Sequence, residues 1–122
     1  MSHIRLDIRD HIAVITLDSP PVNAVSAPFM EEMIRAIDTL NDLDEVRVGV
    51  ITGAGKVFCA GADIKSRATA TFEPGERWAH SRRAREMSYS MIECKKPLIA
   101  AINGPALGAG LGIAASCDIL LC

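Results

Sequence analysis

Ile4, Leu6 and Ile8 alternate with Arg5, Asp7 and Arg9, and a period of two predicts a short strand over residues 4–8. A polar turn at Asp10-His11 separates it from a second predicted strand, residues 12–17 ("IAVITL"). "DSPPVNAV" follows; its prolines cannot donate to a ladder, so it reads as a loop. Ser26 then stands as a fair N-cap. Phe29, Met33, Ile37 and Leu40 recur at helical spacing, with Met30 and Ile34 beside them, and predict an amphipathic helix over about residues 27–42. Glu31 and Glu32 fall in its first turns, where the helix dipole favours acids.

The near-continuous apolar run "VRVGVIT" predicts a strand buried on both faces. It empties into "GAGKVFCAGADIK", a loop rich in Gly and Ala, and residues 66–75 show only weak periodicity. Residues 76–93 turn helical, with Ala84, Met87, Met91 and Ile92 expected on the inner face. Arg77, Arg82, Arg83 and Arg85 give that helix a basic side, read as a solvated face rather than a phosphate contact. Pro97 restarts the chain in extended form. "LIAAIN" is another buried strand, "GPALGAGLG" another small-residue loop, and a short Ala-rich helix to about Ser116 precedes a last strand in "DILLC", expected to belong to the core. Strand, small-residue loop and helix thus occur twice. Helical crossovers favour parallel strands, so both loops should leave the same sheet edge, where α/β proteins bind ligands.

Composition narrows the function. The 122 residues are 49% hydrophobic with a formal charge of -2, which argues against a nucleic-acid surface. No apolar run reaches the ~20 residues of a membrane span. Charges within "MSHIRLDIRD" leave no secretory signal core, so the cytoplasm is the expected location. Cys59, Cys94, Cys117 and Cys122 show no C-x-x-C or zinc spacing, and Cys59, Cys117 and Cys122 are expected as buried, reduced thiols. His3, His11 and His80 are scattered along the chain.

The small residues carry the candidate chemistry. Without long side chains, a ligand can approach the main chain closely. Ala109 should begin a helix, where N–H groups lack intrahelical partners, and Ala62 can present a second N–H from the other loop. Two such donors on one point would make an oxyanion hole. Two alternatives compete. Gly108, Gly110 and Gly112 are spaced G-x-G-x-G, out of register for a dinucleotide fingerprint, and "GAGK" lacks the P-loop glycine and hydroxyl. Glycine for tight packing alone stays open.

"PPVNAVS", "VRVGVITGAGKVFCAGADIK" and "KPLIAAINGPALGAGLGIAASCDILLC" resemble the enoyl-CoA hydratase/isomerase (crotonase) superfamily, from about Ile4 to the last residue. The resemblance implies an α/β fold, a crotonase-like spiral of ββα turns, of which residues 1–122 would be the N-terminal portion of one domain. It implies an acyl-CoA thioester substrate with no cofactor beyond its coenzyme A, and assembly as trimers or dimers of trimers. It puts the two enolate-stabilising N–H groups on Ala62 and Ala109, and runs the CoA moiety along Val22, Ala60, Ala62, Asp63, Ile64 and Lys65. Lys65 would approach a CoA phosphate, Asp63 would cap a turn, and Cys59 would pack.

Two departures stand out. Hydratases of the family carry a glutamate where this chain has Gly112, and glycine cannot transfer a proton. The family's second catalytic carboxylate is expected beyond Cys122. Glu86 and Glu93 read as solvent-facing, and Asp118 as a cap before the last strand. A non-catalytic acyl-CoA-binding or assembly module is therefore the rival reading.

Overall fold

The computed structural model describes residues 2–64 and 71–122. Strands β1 (Ile4–Arg9) and β2 (Ile12–Leu17) form an antiparallel hairpin, turned at Asp10 and His11, both at positive φ (52° and 68°). The chain then winds in repeated turns. Each turn lays one strand in a main sheet, makes a short extended contact in a second layer, and returns through a helix. The first turn is β2, β3 (Ala24–Val25) and α1 (Ala27–Asp42). The second is β4 (Val48–Gly53), β5 (Gly61–Ala62) and α2 (Glu76–Ile92). The third is β6 (Leu98–Ala101), a single bridge at Ala106, and α3 (Ala109–Ala115), before β7 (Ile119–Leu121). The main sheet runs β1-β2-β4-β6-β7, all parallel after the hairpin; β3 pairs β5, and Cys59 bridges Ala106, also in parallel. A mixed α/β spiral of ββα turns is therefore what the chain builds.

Ser26 caps α1 by accepting the Phe29 N–H at 3.3 Å, and Phe29, Met33, Ile37 and Leu40 are fully buried against the sheet row Ala13, Ile15, Ile51, Leu98 and Ala100. Each such side chain contributes roughly 1.5–3 kcal/mol by leaving water.

Several expectations need correction. Strand β4 buries Gly49 and Ile51 on one face only, the face toward α1, where a β-carbon on Gly49 would meet Leu40; Val48, Val50 and Thr52 on the other face are half-buried. The last strand, expected in the core, is the sheet's edge strand among the described residues, with Ile119, Leu120 and Leu121 50%, 47% and 57% exposed. Cys122 is exposed, whereas Cys59 and Cys117 are buried as expected. On α2, Met87 and Met91 form the buried row with half-buried Ala84. Ile92, one residue and about 100° further round, is 62% exposed. The first turn of α1 holds no acid. Glu31 instead pairs with Arg83 at 3.2 Å, and Glu32 accepts the His3 N–H at 2.9 Å, tying β1 to the helix. Part of the stretch 66–75 lies outside the described residues; 71–75 precede α2 without regular structure.

Candidate functional site

The two small-residue loops leave neighbouring parallel strands, β4 and β6, at the same edge, as the crossover argument requires. They then bond to each other. The amides of Phe58 and Cys59 donate to the Pro105 carbonyl at 3.1 and 3.2 Å, and the Leu107 amide donates to Cys59 O at 3.0 Å. Glycine makes the approach possible. A β-carbon on Gly104 would run into Lys56 O, and one on Gly110 into Cys59 O. Gly61 has φ +95°, and a β-carbon there would lie 2.7 Å from Leu107 O and 3.4 Å from the Ala109 nitrogen. Tight packing between the loops thus accounts for three of the glycines. Gly112 is different: a β-carbon there would meet nothing within 4 Å, on an exposed face of α3.

This packing places Ala109 beside the strand that carries Ala62. Ala109 opens α3, so its N–H has no carbonyl four residues back within the helix. In the β3–β5 ladder, Val25 pairs with Ala62 and its carbonyl accepts the Asp63 amide at 2.9 Å. Ladder bonds on a parallel strand use alternate residues, so the Ala62 N–H faces away from β3.

An open cleft of about 980 Å³ is lined by residues of both β3 and β5. Its first wall is the loop from Ser19 to Pro28, and its second is Ala60, Ala62, Asp63 and Ile64. His3, Phe72 and His80 close one side. The cleft brings together Val22, Ala60, Ala62, Asp63 and Ile64. Lys65 lies outside the described residues, and Ala109 is not among the lining residues. Ile64 is 76% exposed, so its apolar surface is available at the rim.

Cys59 is fully buried beneath this wall, its thiol donating to the Asn23 carbonyl at 3.0 Å. Burial pushes the thiol up, against a smaller opposite pull from the Gly61 amide. A protonated, enclosed sulfur is a packing group, not a nucleophile.

The carboxylates singled out from sequence are not gathered at the cleft. Glu86 pairs with Arg82 at 3.6 Å on the exposed side of α2, and Glu93 is exposed at its end. Asp118 accepts the Leu98 amide at 2.8 Å and fixes the start of β6. The arginines of α2 have local partners too: Arg83 pairs with Glu31, Arg85 lies 5.2 Å over the Trp78 ring, and Arg77 lies 5.7 Å over Phe72. Among the described residues, no cluster of His, Cys, Asp or Glu could hold a metal ion.

Sequence reasoning passed over Asn23, Asn103 and the His3–Ser19 pair. Asn103 accepts the Gly53 amide and donates to Gly55 O, both at 3.0 Å, holding the loop after β4 against the loop after β6. His3 Nδ1 and Ser19 Oγ lie 3.0 Å apart at the cleft wall. The available signal was an Asn inside each loop, a residue that tolerates positive φ and bonds neighbouring backbone.

Comparison with known proteins bears on this arrangement. A family model described as enoyl-CoA hydratase/isomerase matches residues 7–122. The chain is 35% identical over 117 residues to a probable enoyl-CoA hydratase of Mycobacterium tuberculosis, covering 95% of this chain and 45% of that one. It is 34% identical over 126 residues to a 4-chlorobenzoyl coenzyme A dehalogenase of Arthrobacter, covering 98% and 45%. It superposes on the crystal structure of an enoyl-CoA hydratase from Bacillus anthracis with a TM-score of 0.88 at 33% identity, covering 98% of this chain and 46% of that one. The chain spans about half the length of the curated relatives it matches.

Proposed function

Because the chain belongs to the enoyl-CoA hydratase/isomerase family, we propose that it is the acyl-CoA-binding, N-terminal part of one such enzyme domain, and that it stabilises a thioester enolate with the N–H groups of Ala62 and Ala109. The observation that carries this reading is the contact of Gly61 with Leu107 and Ala109, which seats a helix-start amide beside the β5 strand. A thioester oxygen held there accepts two hydrogen bonds, and each strengthens as negative charge builds on it. One such donor is worth roughly 2.7–4 kcal/mol of transition-state stabilisation. The pantetheine and nucleotide portions of the CoA lie in the cleft along Val22, Ala60, Asp63 and Ile64, with Lys65 toward a phosphate. The apolar lining suits a pantetheine chain, and no cofactor beyond the CoA of the substrate is required. The complete enzyme works in the cytoplasm as a trimer or a dimer of trimers; among the described residues, no helix is long and apolar enough to cross a membrane.

The second reading, an acyl-CoA-binding or assembly module without chemistry, is favoured by one observation: α3 presents Gly112 to open space where hydratases of the family carry their acid. The carbonyl stretching frequency of a bound enoyl-CoA separates the two. Polarisation by two amides lowers it relative to the free thioester. A bound thioester with an unshifted carbonyl and no product by mass spectrometry would favour the module. Failure of any CoA thioester to bind would remove both.

A further inference from the structure

Among the described residues Asn23 is the polar side chain most deeply enclosed in the loop layer, 2% exposed, and it is buried behind the cleft lining, between Val22 and Ala24 in the chain. On its own side, the Asn23 amide donates to Ser19 O at 2.8 Å, and its Oδ1 accepts the Ser19 amide at 2.9 Å. Those bonds close the loop that carries Pro20, Pro21 and Val22. On the other side, Nδ2 reaches the carbonyls of Ala54, Val57 and Phe58 at 3.1, 2.9 and 3.2 Å. Its own carbonyl accepts the Cys59 thiol at 3.0 Å. One side chain therefore joins the first wall to the residues immediately before Ala60 and Ala62. Backbone contacts join the same two walls: Ala60 donates to Val22 O at 3.0 Å and Asp63 to Val25 O at 2.9 Å. Asn23 has φ +55°, a conformation that Asn adopts more readily than most residues, so the side chain is aimed by the backbone that it stabilises.

We propose that Asn23 is a positioning residue for the cleft: its carboxamide sets the spacing between the Ser19–Val22 wall and the Ala60–Asp63 wall, and so the fit of the ligand between them. It touches no ligand itself, since its polar atoms are occupied by the protein. This inference deepens the acyl-CoA reading and rests on the cleft being that ligand's site. A carboxamide is suited to the task because it accepts on one side and donates two hydrogens on the other. A carboxylate would face three carbonyl oxygens with nothing to donate.

Two measurements on the full chain test it, with Asn23→Gly, which keeps the positive φ, and Asn23→Asp, which keeps the acceptor. Amide hydrogen exchange needs no ligand. The proposal expects amides 58–63 to lose protection at least tenfold while β2 and β4 keep theirs. Uniform loss across the sheet, or no loss, overturns it. Calorimetric titration with coenzyme A, at a temperature where the variants are folded, is expected to show at least tenfold weaker binding. Asp118→Ala, which removes a backbone tie at the start of β6 away from the cleft, is expected to bind within threefold of the unaltered protein. Equal affinity in Asn23→Gly and the unaltered protein overturns the proposal. If the unaltered protein does not bind coenzyme A, the acyl-CoA reading falls, while the exchange result still decides whether Asn23 holds the walls.

Discussion

Gly61 and Ala109 meet with no room for a side chain between them: a β-carbon on Gly61 would lie 3.4 Å from the Ala109 nitrogen and 2.7 Å from the Leu107 carbonyl oxygen. The φ of +95° at Gly61 adds a second objection to any other residue. Gly61→Ala is expected to destabilise the fold by about 1–3 kcal/mol from the backbone alone, with the carbonyl clash added. Gly112→Ala, with open space around its β-carbon inside a helix, is expected to be neutral or to stabilise by up to about 1 kcal/mol. Urea unfolding of the pair measures both; equal effects would mean that the loops do not meet as described.

The oxyanion reading predicts a particular result for Ala109→Pro. Proline is well tolerated at the first residue of a helix, and the Gly110 amide keeps its bond to Leu107 O at 2.8 Å. The Ala109 N–H is lost, and a proline ring carbon takes the place of its hydrogen. The variant is expected to fold and to bind an enoyl-CoA, but to show at most half the downward carbonyl shift of the unaltered protein. An unchanged shift would place the second donor elsewhere.

Turnover should depend on position 112. The unaltered chain is expected to hydrate an enoyl-CoA slowly or not at all, because glycine supplies no proton. Gly112→Glu puts a carboxylate on the exposed face of α3 without steric cost at the β-carbon. In a full-length version that also carries the second carboxylate, hydration is expected to rise at least tenfold, followed by loss of enoyl absorbance. A folded variant with no gain would count against the alignment of this residue with the family's acid.

Alkaline pH should weaken the fold through its buried thiols. Burial pushes Cys59 up, and pushes Cys117 up to about 12, helped by the nearby Asp118 charge and Cys94. In the unfolded chain a thiol ionises near about pH 8.5. Below that pH both states keep the proton and stability is at its full value. Above it the unfolded chain releases protons that the native state retains, so stability falls until pH passes the folded values. Each thiol contributes a slope of at most about 1.4 kcal/mol per pH unit. Denaturant titrations between pH 7 and 10 should show the decline, and Cys117→Ala should flatten it. Aromatic disulfide reagents should label exposed Cys122 first and Cys59 and Cys117 last.

The outer edge of β7 predicts self-association. Ile119, Leu120 and Leu121 are exposed on the last strand of the sheet, and Leu107 and Leu111 are 57% and 55% exposed on the adjoining loop and helix. Unpaired apolar edges recruit other strands. The 122-residue chain by itself is expected to associate with increasing concentration, and Leu120→Lys to reduce that association. Sedimentation that stays monomeric at high concentration would contradict this.

Much of the fold was legible one residue at a time. The spacing of Phe29, Met33, Ile37 and Leu40, the Ser26 cap and the 4-6-8 alternation of β1 each act within a few residues, so local sequence specified α1 and the hairpin. The parallel order of β4 and β6 followed from the helix between them, and with it the shared edge of the two loops. The helix-start position of Ala109 and the loop position of Ala62 marked both as candidate donors, and the resemblance supplied the thioester that they would face.

What sequence by itself determined was the longer elements and the need for small residues in two loops, because backbone conformation and amphipathic period are local properties; the short strands β3 and β5, inside stretches read as loops, came from pairing across the chain. Only the tertiary structure decided what those small residues face. Gly61, Gly104 and Gly110 are glycine because backbone from the other loop occupies the space a β-carbon would need; Gly112 has no such neighbour. Exposure of β7, Ile92 and Cys122, and the bridging bonds of Asn23, likewise depend on which surfaces meet across long stretches of chain. Burial is a property of pairs of elements, and no single segment carries it.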